Sequence, residues 1–257
     1  MEALQFYERI ELNDRSQAVK KKLDKKMFYD YGDVNKKEKN VITKFVERME
    51  LTYLLTPSTI NIQAFINEEY HYEGVMFVTV QLRDDVTDKR VRLLEEVIHG
   101  ALPNPIVITF AFKDQICVSS CMKRLNRVNK NNVVLETIHR TNWFSESNSI
   151  SVVDNFMQSM LLSNLSFTTF FDFYKDIDLA VKAYQDSEII GAYKVLRDDK
   201  ERQQQETIIS QINDIEQEIN TLKAAIKKES QFNKKVELNM KVQQLKKELD
   251  NIKRNAK

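Results

Sequence analysis

The hydrophobic positions of the chain change their period twice along the sequence. In the stretch "NKKEKNVITKFVERMELTYLL", apolar residues follow helical spacing, and Asn35 before them suits a helix N-cap. Proline disfavours helical backbone at the residue before it, so Pro57 requires the helix to end by Thr56. We therefore expect one long helix over residues 35–56.

The middle of the chain has the composition and patterning of a sheet. Strands are predicted for "INIQAFI", "YEGVMFVTVQL", "NPIVITFAF", "QICVSSCM" and "VVLETIHR", and the second of these is apolar enough to be buried on both faces. The apolar face of "DKRVRLLEEVIHGALP", with Gly100 near its end, predicts a short helix. Lys113 and Asp114 between two strands predict a tight hairpin turn. The order strand-strand-helix-strand-strand-strand indicates a mixed sheet.

The tail carries two heptad stripes that are separated by a polar break. Their members are Ile208, Ile212, Ile215, Ile219, Leu222 and Ile226 in the first stripe, and Leu238, Val242, Leu245, Leu249 and Ile252 in the second. Both stripes step by threes and fours. They are out of phase by two residues, a shift that an ordinary insertion of three or four residues does not produce. This favours a helical hairpin that turns near residues 230–233, with Phe232 at its end; one continuous helix is the alternative.

These patterns together predict an α+β protein. We expect a mixed β-sheet body with flanking helices over residues 1–165 and a helical connector over 166–200. A C-terminal helical hairpin, an antiparallel coiled coil, is expected over 201–257. The pattern of "SVVDNFMQSMLLSNL" predicts a helix late in the body, whereas the aromatic and acidic stretch "FTTFFDFYKDIDLAVKAY" does not indicate its own structure.

A two-helix hairpin is marginally stable by itself, so the tail is expected to lean on a partner, a second copy or its own domain. The tail is therefore the predicted docking element, and self-association through it is one of its options. The candidate partner contacts are Ile212, Ile219, Phe232, Leu238 and Leu245.

Composition narrows the function classes without naming one. The chain has 257 residues, and its 39 Lys and Arg against 38 Asp and Glu argue against a surface that binds nucleic acid or membrane as a whole. No stretch approaches the roughly 18 apolar residues of a membrane span, and no signal-peptide pattern is present. Cys117 and Cys121 are expected to be buried thiols on one strand face. A cytoplasmic protein without a membrane contact is therefore expected.

The sequence lacks the motifs of common enzyme classes. Its four glycines form no phosphate-binding loop and no dinucleotide fingerprint, and neither a nucleophile elbow nor a zinc-protease helix occurs. His71, His99 and His139 do not have metal-ligand spacing. No metal site and no cofactor is predicted.

One enzymatic alternative remains open, a divergent metal-dependent nuclease. Such an enzyme uses acidic residues to bind the ion and a lysine to polarise water. In this chain Glu73, Asp84, Asp85 and Lys123 are the residues that would stand near the metal, although the strand before Asp84 has no acid-and-lysine pair.

The clearest local chemistry is basic. The stretch "CMKRLNRVNKNN" places Lys123, Arg124, Arg127 and Lys130 at a strand end and in the loop after it. Cations spaced in this way can contact successive phosphates, and the alternative is a solvated loop. Trp143 is either a base-stacking residue or a half-buried core residue. The early run "VKKKLDKK" is more typical of a solvated face.

Four segments of the chain resemble the bacterial family catalogued as domain of unknown function 4391. They are "LTYLLTPSTINI", "LLEEVIHGALPNPIVITFAF", "CMKRLN" and "ESQFNKKVELNMKVQQLKKEL". The resemblance covers most of the chain and is weakest over residues 166–205. It implies a gene neighbourhood of DNA methyltransferases and helicase-like ATPases, in loci that resemble restriction or phage-defence islands. It implies no catalytic residues.

We therefore expect a non-catalytic accessory subunit of a bacterial DNA-modification or phage-defence complex. Its α/β body would dock on a helicase-like ATPase or a DNA methyltransferase, and its hairpin tail would brace the assembly or contact DNA. The missing enzyme motifs, the heptad stripes of the tail and the implied gene neighbourhood all favour this expectation.

Overall fold

The computed structural model describes residues 1–12, 18–31, 34–83, 86–127, 133–145 and 151–256. The chain forms two compact units, Met1–Gln185 and Asp186–Lys257. The boundaries expected from the sequence, after residues 165 and 200, lie on either side of this division. Lys130, Asp84 and Asp85, which are among the predicted site residues, lie outside the described residues.

The described residues of the first unit contain two sheets. The strands are β1 (Ala18–Lys22), β2 (Val46–Leu55), β3 (Phe65–Ile66), β4 (His71–Tyr72), β5 (Val75–Leu82), β6 (Ile106–Phe112), β7 (Gln115–Leu125) and β8 (Val133–Arg140). The main sheet has six strands in the order β1-β2-β5-β6-β7-β8, and β3 and β4 form a small separate hairpin. Neighbouring strands of the main sheet are antiparallel except β5 and β6, which are parallel. The predicted mixed sheet is confirmed.

The helices of the chain lie before, between and after the strands. They are α1 (Ala3–Arg9), α2 (Lys25–Tyr31), α3 (Lys36–Phe45), α4 (Asp88–Ala101), α5 (Ser151–Met160), a short 3-10 helix (Leu162–Asn164), α6 (Phe170–Ile190), α7 (Asp199–Lys228) and α8 (Phe232–Asn255). The predicted helix over "DKRVRLLEEVIHGALP" is α4, and α5 matches the predicted late helix of the body. The aromatic and acidic stretch that the pattern left open is α6.

The long helix expected over residues 35–56 is wrong in its second half. Asn35 caps α3 as expected, since its side chain accepts hydrogen bonds from the Lys37 and Glu38 backbone N–H groups. The helix ends at Phe45, however, and β2 begins at Val46. The pairing of β2 with β5 has two register irregularities, which interrupt the alternation that normally marks a strand. These bulges explain why the hydrophobic positions of β2 follow helical spacing in the sequence.

Four of the five other predicted strands are confirmed as β5, β6, β7 and β8. The tight turn between β6 and β7 is also confirmed, and Lys113 has a φ of 54° there. The stretch "INIQAFI" is different, because its strand is limited to the two residues of β3. A turn at Thr56–Ile60, closed by backbone hydrogen bonds to the Thr56 carbonyl, takes up the residues before it.

Helices cover both faces of the main sheet. One face packs against α2, α3 and α4 around a core that includes Val78, Val80, Val91, Leu94, Ile98, Ile106, Ile108 and Phe110. The other face is aromatic: Tyr7 of α1 contacts Tyr53 and Phe77, while Phe156 of α5 contacts Phe144. This double burial explains why β5 and β6 are nearly continuous apolar runs.

The tail forms the predicted helical hairpin, and the continuous-helix alternative is wrong. Helices α7 and α8 pack together across a turn at residues 229–231. Lys253 Nζ lies 2.9 Å from Glu216 Oε1, and Lys241 Nζ lies 3.0 Å from Glu218 Oε1. The helical connector expected over residues 166–200 is interrupted, because α6 ends at Ile190 and Gly191 has a φ of 83°. Whether the hairpin has coiled-coil packing stays a prediction.

The three longest helices of the described chain are α6, α7 and α8, with 21, 30 and 24 residues. All three are long enough for a bilayer, but charged side chains recur along each of them. Among the described residues, no helix is both long and apolar enough to cross a membrane.

Gly74 lies where two backbones approach closely. A Cβ atom built on it would lie 2.3 Å from the Leu55 carbonyl oxygen. We expect Gly74→Ala to lower the free energy of unfolding by about 1–3 kcal/mol, as overpacking does elsewhere. Urea denaturation would measure the change. Gly100→Ala is the matched control, since its Cβ meets no atom nearer than 4.0 Å and alanine favours helix. Equal stability of the two variants would contradict this account.

Candidate functional site

A cleft lies where β7 ends, between the β3–β4 hairpin and the loop that joins α4 to β6. The hairpin is fixed to β7 by hydrogen bonds from the Leu125 N–H to the Glu69 carbonyl, 2.8 Å, and from the Lys123 N–H to the Tyr72 hydroxyl, 2.9 Å. Two cavities open there, of about 880 and 360 Å³, and both are lined by Arg124. The predicted basic stretch therefore forms the wall of a cleft.

Lys123 does not belong to an exposed basic surface, contrary to the expectation from the sequence. It is 3% exposed, and its Nζ donates hydrogen bonds to the carbonyls of Leu102, 2.6 Å, and Asn104, 2.8 Å. These carbonyls follow the last residue of α4, where a cation is favourable. Burial lowers the pKa of Lys123 to about 7. The sequence could not indicate this, because the acceptors belong to a distant loop.

Among the described residues, Arg124 and Arg127 are the predicted cations that reach the cleft surface. Arg124 lies 3.4 Å from both Glu69 and Glu136, so part of its charge is already compensated. Arg127 is exposed and lines the larger cavity. The structure thus brings two arginines to one cleft and places acidic groups beside the first of them.

The remaining candidates from the sequence that the structure describes do not line either of these two cavities. Trp143 is partly buried against the core, with its ring 6.0 Å from that of Phe112. Cys117 and Cys121 are both buried, and burial raises the pKa of the Cys121 thiol to about 12. The early lysine run includes β1, whose side chains after Ala18 are exposed.

The residues of the nuclease alternative are not gathered in one described site. Glu73 precedes β5 and lies 3.2 Å from His71, whereas Lys123 is buried in contact with backbone carbonyls. Asp84 and Asp85 come after the opposite end of β5 in the sequence and are outside the described residues. Within the parts of the chain that the structure describes, no three His, Cys, Asp or Glu side chains lie close enough to share a metal ion.

A buried polar network beneath α4 was missed by the sequence analysis. Glu95 Oε1 lies 3.6 Å from Arg140 Nε, and His99 Nε2 lies 3.2 Å from the Ser119 hydroxyl. Arg140 also contacts Asp88. Burial raises the pKa of Glu95 to about 7 and holds the pKa of His99 well below its ordinary value. The available indication was a charged residue on the apolar face of α4, four residues after Val91.

A second buried group joins α6 to the sheet. The Ser120 hydroxyl donates to Asp178 Oδ1 over 2.7 Å, and His139 Nδ1 lies 3.1 Å from Asp178 Oδ2. A nucleophilic serine needs the imidazole beside its hydroxyl, whereas the carboxylate occupies that place here. The arrangement satisfies buried polar groups and fixes α6 to β7 and β8.

The Glu95 site makes stability depend on pH. The folded state raises the pKa of this carboxyl from 4.5 to about 7, so folding retains a proton that the unfolded chain releases. Stability should fall as pH rises from about 4.5 to 7, by about 3 kcal/mol at most. Glu95→Gln should remove this fall, as measured by urea denaturation at several pH values. Replacement of the adjacent exposed Glu96 by Gln is the control; identical profiles for Glu95→Gln and the natural chain would contradict the assignment.

Comparisons with known proteins identify a family and nothing beyond it. The family model described as Domain of unknown function (DUF4391) matches residues 15–249, which is most of the chain. The matched range includes the main sheet, the cleft and nearly all of the hairpin. Neither the curated proteins nor the solved structures gave a match. The chain therefore belongs to the DUF4391 family of domains of unknown function.

Proposed function

We propose that this protein is a non-catalytic accessory subunit of a bacterial DNA-modification or phage-defence complex. It docks on a helicase-like ATPase or a DNA methyltransferase through its C-terminal hairpin, and its cleft arginines contact DNA. The observation that carries the proposal is an exposed apolar stripe on α8, formed by Phe232, Val236 and Met240. Their exposed fractions are 77%, 42% and 69%.

The outer stripe of α8 is distinct from the stripe that holds the hairpin together. Positions four residues apart lie on one face of a helix, so Phe232, Val236 and Met240 form one continuous surface. On another side of α8, Val242 is buried and Leu238 and Leu245 are half-buried. The hairpin therefore uses one apolar stripe internally and presents a second one to solvent.

This arrangement changes which tail residues are offered to a partner. Ile212 and Ile219 are buried, so they are not accessible in the folded chain. Of the five partner contacts predicted from the sequence, Phe232 is the one that is largely exposed. The proposed docking surface is therefore the outer stripe of α8 rather than the two heptad stripes.

The chemistry of the outer stripe suits protein binding. Aromatic residues and methionine are enriched in the centres of protein interfaces. Methionine in addition adapts its unbranched side chain to different partner surfaces. Exposed apolar patches of this kind are typical of interaction sites, whereas single exposed apolar residues are ordinary.

Two further observations support the DNA-related part of the proposal. The family resemblance implies neighbours that modify or unwind DNA, and Arg124 and Arg127 share one cleft on the sheet unit. Arginine is well suited to phosphate, because its planar group donates two parallel hydrogen bonds. The partial compensation of Arg124 by Glu69 and Glu136 makes the DNA contact secondary to protein docking.

The docking prediction concerns the outer stripe. The double variant Phe232→Ser, Met240→Ser should lose at least about tenfold in affinity for the partner, since exposed anchors dominate such contacts. The natural chain and the variant would be co-purified with the ATPase and the methyltransferase from the neighbouring genes. Phe167→Ser, which removes an exposed phenylalanine of the other unit, is the matched control. A chain that never associates, or a variant that associates normally, would overturn the proposal.

The DNA prediction concerns the cleft. Arg124→Gln with Arg127→Gln should weaken duplex binding equally for all sequences and reduce the salt slope by about one per lost phosphate contact. Fluorescence anisotropy at several salt concentrations would measure both effects. Arg48→Gln, at an exposed position on β2, is the control. Unchanged affinity would exclude the cleft as the DNA contact.

The nuclease alternative can be tested with the same material. Incubation of the chain, alone and with its partners, with plasmid DNA and magnesium or manganese would reveal any cleavage. Metal-dependent cleavage that survives purification and is lost on Glu73→Gln would favour the nuclease over the accessory subunit. The absence of cleavage in every combination is the result that the proposal predicts.

A further inference from the structure

The smaller cavity of the cleft has the size and walls of a small-molecule site. Its volume of about 360 Å³ falls in the range of roughly 300–1,000 Å³ that is usual for such sites. Apolar groups form much of the wall, and a few polar groups converge on it, as in known ligand sites. The apolar residues are Pro103, Pro105, Leu125 and Val133.

The polar residues of the smaller cavity favour an anion. They include His71, Asn104, Lys123 and Arg124, and within the described part of the chain no carboxylate is among the lining residues. Each acidic group near the cavity serves another purpose, since Glu69 and Glu136 flank Arg124. Glu73 in turn lies 3.2 Å from His71, which leaves Lys123 as the cation of the cavity that has no acidic partner among the described residues.

Such an anion would complete the hydrogen bonding of the Lys123 ammonium group. An ammonium group donates three hydrogen bonds, and Lys123 Nζ makes two, to the carbonyls of Leu102 and Asn104. It has no carboxylate partner among the residues that the structure describes. A buried charge without a counter-charge is costly, so an anion in the cavity would supply the missing acceptor and the missing charge.

We propose that the smaller cavity binds a nucleoside monophosphate, either free or as the 5′ end of a single strand. The phosphate lies against Lys123, whose ammonium group suits the phosphate oxygens as a charge-assisted donor. The flat base packs between the proline walls and the exposed imidazole of His71. Asn104 lines the same cavity, and its side-chain amide, which can both donate and accept, would bind the edge of the base.

The volume of the cavity sets the size of the ligand. A cavity of about 360 Å³ has room for one nucleotide. The larger cavity is a different site. Arg127 lines it, and under the proposed function it contacts duplex DNA. The inference goes beyond that function and does not depend on the partner of the hairpin.

The buried amine couples binding to pH. In the free protein the pKa of Lys123 is about 7, and a bound anion raises it by stabilising the charged form. The ligand thus prefers the protonated protein, and its affinity should fall by up to about tenfold per pH unit above 7. The second pKa of a phosphate monoester is about 6, so the ligand charge is nearly constant over this range.

Calorimetry on the full chain tests the site with the four deoxynucleoside monophosphates. We expect at least one to bind, and we expect its affinity to fall at least about tenfold between pH 7 and pH 9. The matching nucleoside without phosphate should bind at least about tenfold more weakly, since it lacks the charge-assisted hydrogen bonds. The absence of binding by all four at millimolar concentration would overturn the proposal.

Variants locate the binding within the cleft. Lys123→Met should abolish binding, and Lys89→Met at the exposed start of α4 should leave it unchanged. If Lys123→Met fails to fold, His71→Ala at an exposed position provides the test, and it should weaken binding at least about tenfold. Arg127→Gln should weaken duplex DNA but not the mononucleotide, which separates this site from the proposed DNA contact. Binding that none of the cavity variants changes would overturn the proposal.

Single-stranded oligonucleotides with and without a 5′ phosphate distinguish the two sources of the ligand. Tighter binding of the 5′-phosphorylated strand than of the free mononucleotide identifies a strand end as the ligand. Equal or weaker binding of the strand identifies the free mononucleotide. Equal affinity for both strands together with no binding of any mononucleotide would contradict a phosphate site in this cavity.

Discussion

The parallel pairing of β5 with β6 is the constraint on which the rest of the structure depends. Two parallel neighbours need a crossover of a dozen or more residues, and α4 provides it. The crossover buries one face of the sheet. Aromatic residues of α1 and α5 bury the opposite face. The same crossover ends beside the start of β6, where the carbonyls of Leu102 and Asn104 meet Lys123 of the antiparallel neighbour β7. The cleft is thus a consequence of the sheet order.

Buried charged residues occur in two different arrangements in the sheet unit. Glu95 of α4 and Arg140 of β8 form a buried ion pair, and their interaction offsets part of the cost of removing them from water. Lys123 instead lines a cavity, where carbonyl dipoles stabilise it and no opposite charge lies beside it among the described residues. The first arrangement holds a helix on a sheet. The second leaves a buried cation beside an open volume, which is why we assign ligand binding to the cleft rather than to the network.

Helix α8 of the hairpin carries two apolar stripes. Seven-residue periodicity supplies the internal stripe of α8, around the buried Val242, and a second stripe begins with the exposed Phe232. One of these stripes is covered within the chain, and the other is exposed and forms the docking surface that we propose. The docking that we propose for the tail and the ligand binding that we propose for the cleft are therefore assigned to different units of the chain.

The sequence by itself determined the helical hairpin, the central helix α4 and four of the strands, because periodicity reports which side of a regular element is buried. It also identified Asn35 as a cap, since capping is a local interaction. Tertiary structure alone decided that residues 46–55 are a strand with bulges, that Lys123 is buried, and that Glu95 meets Arg140. The physical reason is the same in each case: register, burial and the partner of a charge depend on residues far away in the chain, and no local pattern encodes them.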